Sequence, residues 1–424
     1  MPLDSRERLK MDVEAENGGG GGVTLPPPGR AAITLSRSLI LLFSITCAMA
    51  VANVYFAQPL LESMSVSLSV PAGSIGVVVT ATQVGYTLGL VLVVPLGDLL
   101  NRKKLILTQM LLSAVALGAV GLAQTWSVLL AAMMLVGLMA VVVQVVVAYA
   151  ATLASPEQRG QAVGTVTSGV VLGILLARFV SGAVADLAGW RSVYFVSAAL
   201  MVGMALVLQR TMPASATPPA KGGYWQLLGS VFKLFRSERM LRIRGTFALL
   251  IFAAFSVFWT SMVLPLSAPP LSLSHTQIGL FGLAGVAGAL AAARAGRLAD
   301  QGRGHRSSAI ALVLLTLSWL PIAFVEHSLL AMVVGVVLLD FAVQAVHVTN
   351  QSLIFAARPD AQSRLVGAYM CFYSVGSGFG AIAATYTYAH WGWAAVCLLG
   401  AAISGVALLY WVYLELTSRQ RAEQ

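Results

Sequence analysis

The chain has 424 residues, 58% of them hydrophobic and only 10% charged, with a mean hydropathy of +0.84. So much apolar surface cannot be hidden in a water-surrounded core, which excludes a soluble protein and makes lipid the solvent. A formal charge of +10 would suit a nucleic-acid partner, but Lys and Arg are sorted by loop along the chain, so no nucleic acid is expected.

In chain order, residues 1–35 combine charges with the run Gly18 to Gly22 and Pro26-Pro27-Pro28, which predicts a disordered cytoplasmic tail and no signal peptide. Apolar stretches then recur, each long enough to cross the roughly 30 Å hydrocarbon layer as a helix. Six at 36–58, 73–98, 104–123, 126–153, 161–187 and 191–209 predict an amino-terminal bundle over 36–210. The connection 211–243 opens on Pro213 and Pro218-Pro219 and then turns amphipathic, with Trp225, Leu228, Phe232 and Phe235 on one helical face. It predicts either a helix lying on the cytoplasmic leaflet or a plain basic linker. Six more spans at 244–267, 276–299, 307–325, 328–356, 364–389 and 393–416 predict a carboxy-terminal bundle over 244–416, with 417–424 as a short cytoplasmic tail.

The two sets of spans repeat one another at a fixed offset of 203 residues. Ile75-Gly76 recurs as Ile278-Gly279, Pro156 as Pro359, Gly164 as Gly367, Gly173 as Gly376 and Gly189-Trp190 as Gly392-Trp393. Two similar bundles in tandem are the sequence signature of a transporter whose substrate path runs between them. The basic residues alternate by loop, and the intervening loops carry essentially Arg191 alone. That asymmetry places both termini in the cytoplasm and demands an even number of crossings. Trp126, Trp190, Trp319, Trp391 and Trp393 fall near predicted span ends, where interfacial anchoring is expected. Cys47, Cys371 and Cys397 lie within apolar spans, with neither disulfide nor metal-ligand spacing. No motif of hydrolytic, metal or nucleotide chemistry is present, so an enzyme is not expected, nor a cofactor.

Ionisable side chains at membrane depth are costly and mark function. Arg178, Asp340 and His347 qualify. Asp340, Gln344, His347 and Gln351 are spaced by four, three and four, which keeps them on one stripe of the tenth span. Arg178 and Asp340 stand about equally far from the same ends of their spans, so they could pair in one state, with protonation of Asp340 releasing Arg178. A static structural pair is the alternative. His347 could shuttle protons, its unperturbed pKa being about 6.5, or remain a neutral hydrogen-bonding group.

Between spans two and three stands Pro95-Leu96-Gly97-Asp98-Leu99-Leu100-Asn101-Arg102-Lys103-Lys104, and between spans eight and nine Gly296-Arg297-Leu298-Ala299-Asp300-Gln301-Gly302-Arg303-Gly304-His305-Arg306. With this motif twice, two six-span halves and a long central loop, the chain resembles the major facilitator superfamily from about residue 36 to 416. The resemblance implies an all-α integral membrane fold, with two six-helix bundles related by a pseudo-twofold axis along the membrane normal. It also implies that the loop steadies a state closed towards the cytoplasm, with Asp98, Arg102, Lys103 and Lys104 as the first gating cluster and Asp300, Arg303 and Arg306 as the second. The first copy has Leu99 and Asn101 where the family pattern has a basic residue and Gly. Either cluster could instead serve only insertion.

The resemblance further implies that spans one, four, seven and ten line a central cavity. The offset of 203 then pairs His347 with Gln144, Asn53 with Ser256 and Phe56 with Trp259. Together with Gln344 these residues predict a mixed polar and aromatic pocket for a modest-sized organic solute stacking on Phe56 and Trp259. In the family's drug/proton antiporters the fifth span commonly reads Gly-x-x-x-Gly-Pro-x-x-Gly-Gly; here Gly169 and Gly173 are present, but the Pro and both later Gly are absent. The expectation is a monomeric secondary transporter of a bacterial inner membrane that uses protons to export a small organic compound. Uptake of a nutrient by the same architecture is the alternative, and a membrane enzyme or non-transporting sensor is the alternative of another class.

Overall fold

The computed structural model describes residues 36–155, 158–213, 223–285, 304–357 and 362–422, and among these no strand occurs. The amino-terminal half contains α1 (Arg37–Tyr55), α2 (Leu61–Leu68), α3 (Val77–Leu92), α4 (Arg102–Leu122), α5 (Trp126–Ala140), α6 (Val142–Leu153), α7 (Arg159–Ala188) and α8 (Trp190–Thr211). The connecting α9 (Tyr224–Ser237) leads into α10 (Arg239–Ser261), α11 (Val263–Ser267), α12 (His275–Leu280), α13 (Gly304–Leu317), α14 (Trp319–Ala323), α15 (Leu329–Ala357) and α16 (Gln362–Ala422). Ten stretches among the described residues are long and apolar enough to cross a membrane. The last of them breaks into two at Gly392, where the backbone turns to φ 74°. The predicted eighth span is described only as far as Gly285.

Local chemistry sets the boundaries. Ser36 caps α1 by accepting from the Leu39 amide at 3.2 Å, and Asn101 caps α4 by accepting from Lys104 at 3.1 Å. The first span runs on past the expected end at 58. Pro59 sits at the start of a 3₁₀ turn, Gln58–Leu60, where its missing N–H costs nothing, and Leu60, Leu61 and Met64 are fully buried beyond it.

Two sets of contacts define the ends of the molecule. On one face, Arg102 reaches Thr152, Lys103 reaches the Met212 carbonyl and Tyr224 the Leu92 carbonyl. On the other, Arg191 spans Ser67 and the Ala123 carbonyl, and Asp186 meets His275. We call these the chain-end face and the far face, since α1 begins and α16 finishes at the first.

The repeat is visible as symmetry. Gly189 (φ 81°) and Gly392 (φ 74°), 203 apart, make the same left-handed break between consecutive spans, which glycine accepts without a Cβ clash. At the interface of the halves, α3 packs on α16 and α12 on α7. A Cβ on Gly76 would lie 2.3 Å from the Ala381 carbonyl oxygen, and one on Gly279 would lie 2.4 Å from that of Arg178. Gly76 and Gly279, like Arg178 and Ala381, are offset by 203, so both helix pairs touch at equivalent points through a missing side chain.

Three features of the sequence take a defined place in the structure. Trp190, Trp319 and Trp393, expected as interfacial anchors, are buried, and the indoles of Trp319 and Trp393 donate to Ser404 Oγ and the Ile322 carbonyl; only Trp391 is widely exposed. The glycines of spans five and eleven mostly serve packing within a half. Gly169 and Gly173 meet Ser44 and Ala48 of α1, and Gly376 and Gly380 meet Leu249 and Ala253 of α10. The apolar side chains of α9 diverge: Trp225 and Phe232 are exposed, whereas Phe235 stacks on Phe372 with centroids 5.7 Å apart. Through Tyr224 and Phe235 this helix touches both halves.

Candidate functional site

The site sits between the bundles, on residues that four separate segments deliver. Arg178 of α7 is buried at 3% exposure, and its Nε donates to Gln58 Oε1 at 2.7 Å, beyond the end of α1. Its guanidinium lies 3.7 Å from the centre of the Trp259 ring of α10, with Tyr55 at 5.1 Å and Phe255 at 5.7 Å. An aromatic cage of this kind holds a cation through the negative faces of its rings. Trp259 Nε1 in turn donates to Asp340 Oδ1 of α15 at 3.1 Å. The sequence brought Arg178 and Asp340 to one depth, but among the described residues they form no direct ion pair. Trp259 stands between them, offering its face to the cation and its N–H to the carboxylate. Among the described residues Arg178 Nη2 is buried without a partner, beside a void of about 10 Å³ bounded by Gln58, Trp259 and Met262, the smallest space that can take a water.

A second aromatic group lies alongside. Tyr55 and Tyr373 share a hydrogen bond of 2.6 Å across the halves, and Tyr373 stacks edge-on against Phe252 at 4.2 Å. Phe252 meets His347 edge-on at 5.1 Å, and His347 Nδ1 lies 3.0 Å from the Tyr369 hydroxyl. On the opposite wall Gln144 reaches the Tyr86 hydroxyl at 3.5 Å, and Tyr86 faces Tyr373 with centroids 6.3 Å apart. Gln144 and His347, paired by the repeat, therefore stand at opposite ends of one run of rings. Gln344 is half-buried and makes no side-chain hydrogen bond among the described residues.

Other expected residues are placed differently. Asn53 is buried at 1% exposure and accepts from Ser197 Oγ of α8 at 2.6 Å, so its carbonyl is committed inside the amino-terminal bundle. Ser256 is buried and shares a bond with Thr260 one turn along its own helix. Phe56 is buried at 8% exposure, and the face of Trp259 is taken by Arg178, so stacking of a solute on Trp259 requires the guanidinium to move. Sequence reasoning missed Gln58, Tyr55, Tyr373 and Phe252. A lone amide beside Pro59 was the one signal for Gln58; the aromatics sit unmarked in apolar runs.

Of the loop clusters, Asp98 pairs with Arg102 at 3.4 Å while remaining largely exposed. Arg102 also donates to the Gly97 carbonyl and to Thr152, and Lys103 to the Met212 carbonyl. These bonds tie α3, α4, α6 and α8 together within one half. Lys104 and Arg306 are exposed, while Asp300 and Arg303 lie outside the described residues.

The close approaches between the halves concentrate towards the far face. On one side they run from Gly73 against Ala389 to Ser374 Oγ on Gln83; on the other, from Asp186 against His275 to Gly285 against Leu175. Around the Ser374–Gln83 contact, α3 and α16 flank a groove of about 240 Å³ walled by Thr80, Gln83, Thr87, Leu88, Ser374 and the exposed Phe379.

Two matched helical bundles in closest contact towards one face, with a buried cation and carboxylate between them, have the architecture of a membrane transporter. The chain belongs to the Major Facilitator Superfamily, whose family description matches residues 40–301 and 246–424. It is 47% identical over 377 residues to the uncharacterized transporter YgaY of Escherichia coli O157:H7, covering 89% of this chain and 95% of that one. The multidrug resistance protein MdtG of Klebsiella pneumoniae (strain 342) is 25% identical over 335 residues, covering 78% of this chain and 80% of its own. Among solved structures, a bacterial homolog of the human lysosomal transporter Spinster, in an inward-facing and occupied conformation, superposes with a TM-score of 0.73 at 13% identity, covering 90% of this chain and 96% of that one.

Proposed function

We propose that this transporter exports a small organic solute from a bacterial cytoplasm in exchange for protons, with Asp340 as the proton-carrying group. The observation that carries this reading is the Arg178–Trp259–Asp340 arrangement: a carboxylate and a guanidinium buried at membrane depth, close enough to sense one another and yet not paired. A carboxylate held by an indole N–H, with no cation bonded to it among the described residues, can lose its charge to a proton without stranding a paired ion, and Arg178 can then leave the face of Trp259. The vacated ring, with Phe56, Gln344 and the Gln144 to His347 run of aromatics, supplies stacking area and a few polar contacts for an organic solute. The basic residues of the chain-end face support both termini being cytoplasmic. On that reading the far face points outward, and the close approach of the two halves there supports a conformation closed to the outside. In this state the Asp98 cluster makes its bonds within one half; its expected gating role belongs to the opposite state, when the chain-end faces meet. The similarity to MdtG supports export.

The test begins with a thermal-shift screen of the purified protein against metabolites and antimicrobials, followed by flux of the stabilising compound in vesicles with an imposed pH gradient. The wild type is expected to move solute against the proton flow, and Asp340→Asn to lose that dependence on the gradient while still binding. Solute moving with the protons, or Asp340→Asn retaining the full response to the gradient, would defeat the proposal.

A further inference from the structure

The repeat makes it possible to ask what closing the far mouth requires and what has been added to it. On the α3/α16 side the mouth is shut by small, neutral groups. A Cβ on Gly73 would come 3.0 Å from Ala389 Cβ, and Thr385 Oγ1 donates to the Gly73 carbonyl at 3.1 Å and accepts from the Gly76 amide at 3.2 Å. An offset of 203 carries Gly73 to Thr276 and relates Ala389 to Asp186. The same point on the α7/α12 side therefore holds a carboxylate and a hydroxyl where the copy holds a hydrogen and a methyl.

That carboxylate is fully engaged. Asp186 Oδ1 accepts from the His275 amide at 3.2 Å and lies 2.7 Å from His275 Nδ1; Oδ2 accepts from the Thr276 amide at 2.8 Å and from Thr276 Oγ1 at 2.6 Å. His275 Nε2 stands 2.7 Å from Ser63 Oγ of α2, which carries the linkage back into the first bundle. With Nδ1 donating to the carboxylate, Nε2 accepts from Ser63, so the imidazole fastens both neighbours. Four contacts to one carboxylate, two of them from backbone amides of the opposite bundle, are the strong charge-assisted kind. Gly182, one turn before Asp186, lets the backbones come together there: a Cβ on it would lie 2.2 Å from the His275 carbonyl oxygen. Fold closure alone does not need this group, since the symmetry-related side closes without it.

We propose that Asp186 is the latch of the far mouth. It is a positioning residue that holds the conformation closed at this face through His275 and Thr276 and must release them for the mouth to open. The latch lies away from the Arg178–Trp259–Asp340 arrangement and sets which way the transporter faces, whatever solute or ion drives it.

The experiment needs no substrate. Maleimide labelling of the purified full-length protein in nanodiscs is followed at two single reporters, Ile278→Cys on the closed interface beside Arg178 and the half-buried Gln344→Cys on the polar stripe of α15; the three native cysteines are buried. Asp186→Asn is expected to raise labelling at 278 about tenfold, the effect of weakening an interaction of about 1.4 kcal/mol, and to lower it at 344. Thr276→Val is expected to shift both in the same directions to a smaller extent. Unchanged labelling at 278 overturns the proposal. So does a rise at both reporters together, which would mean that Asp186 merely keeps the protein folded.

Discussion

At the scale of single residues, Trp259 is the joint on which the site turns, because one ring serves both charges. Trp259→Phe keeps an aromatic face for Arg178 and removes the only side-chain donor to Asp340 found among the described residues. A double-mutant cycle of Trp259→Phe with Asp340→Asn, read by thermal unfolding, is expected to give a coupling of about 0.5 to 1.5 kcal/mol. A coupling indistinguishable from zero would mean that the bond contributes nothing. The cost of burying ions made Arg178, Asp340 and His347 legible in the sequence. The same argument could not find Tyr55 or Tyr373, whose rings look like any other apolar residue until the fold sets them 2.6 Å apart at their hydroxyls. Asn53 shows a different limit: a polar residue on a central span points where helix rotation sends it, and here its carbonyl meets Ser197.

At the scale of elements, the repeat reads more deeply than span boundaries do. The offset of 203 anticipated that Gly76 and Gly279 are equivalent, and both turn out to be the points where helices from opposite halves touch without a side chain between them. A valine at either position cannot be accommodated, since carbonyl oxygens lie 2.3 Å and 2.4 Å from the added Cβ. Gly76→Val and Gly279→Val are each expected to part the far mouth by about 1–2 Å or more, as the carbon–oxygen contact relaxes towards van der Waals distance. Spin labels at Leu187 and Trp391, both exposed, report that separation; an unchanged distance distribution in both variants would refute the reading. Periodicity could not foresee that α1 continues into α2, because Pro59 reads as a stop until its place in a 3₁₀ turn is known. Nor could it foresee that three tryptophans turn inwards, since a residue at a span end has the same neighbours in sequence whether it meets lipid or protein.

At the scale of the whole molecule, the two repeated bundles carry charged side chains at one of their two equivalent contacts and, among the described residues, alanines at the matching positions of the other. Arg178 and Asp186 stand opposite α12, while their counterparts Ala381 and Ala389 face α3. A scaffold built from equal halves would swing evenly about its axis, but these two jambs are unequal. The neutral side is joined through uncharged groups alone, Thr385 on Gly73, Thr80 on the Gly378 carbonyl and Ser374 on Gln83, and the proposed latch makes it the hinge. The ionic side must come undone and re-form, and so serves as the opening edge. A disulfide across the hinge, Gly73→Cys with Ala389→Cys, is expected to leave transport largely intact, whereas one across the opening edge, Asp186→Cys with Thr276→Cys, is expected to arrest it until reduced. The direction from which a solute leaves would then follow from where evolution broke the symmetry of a doubled chain.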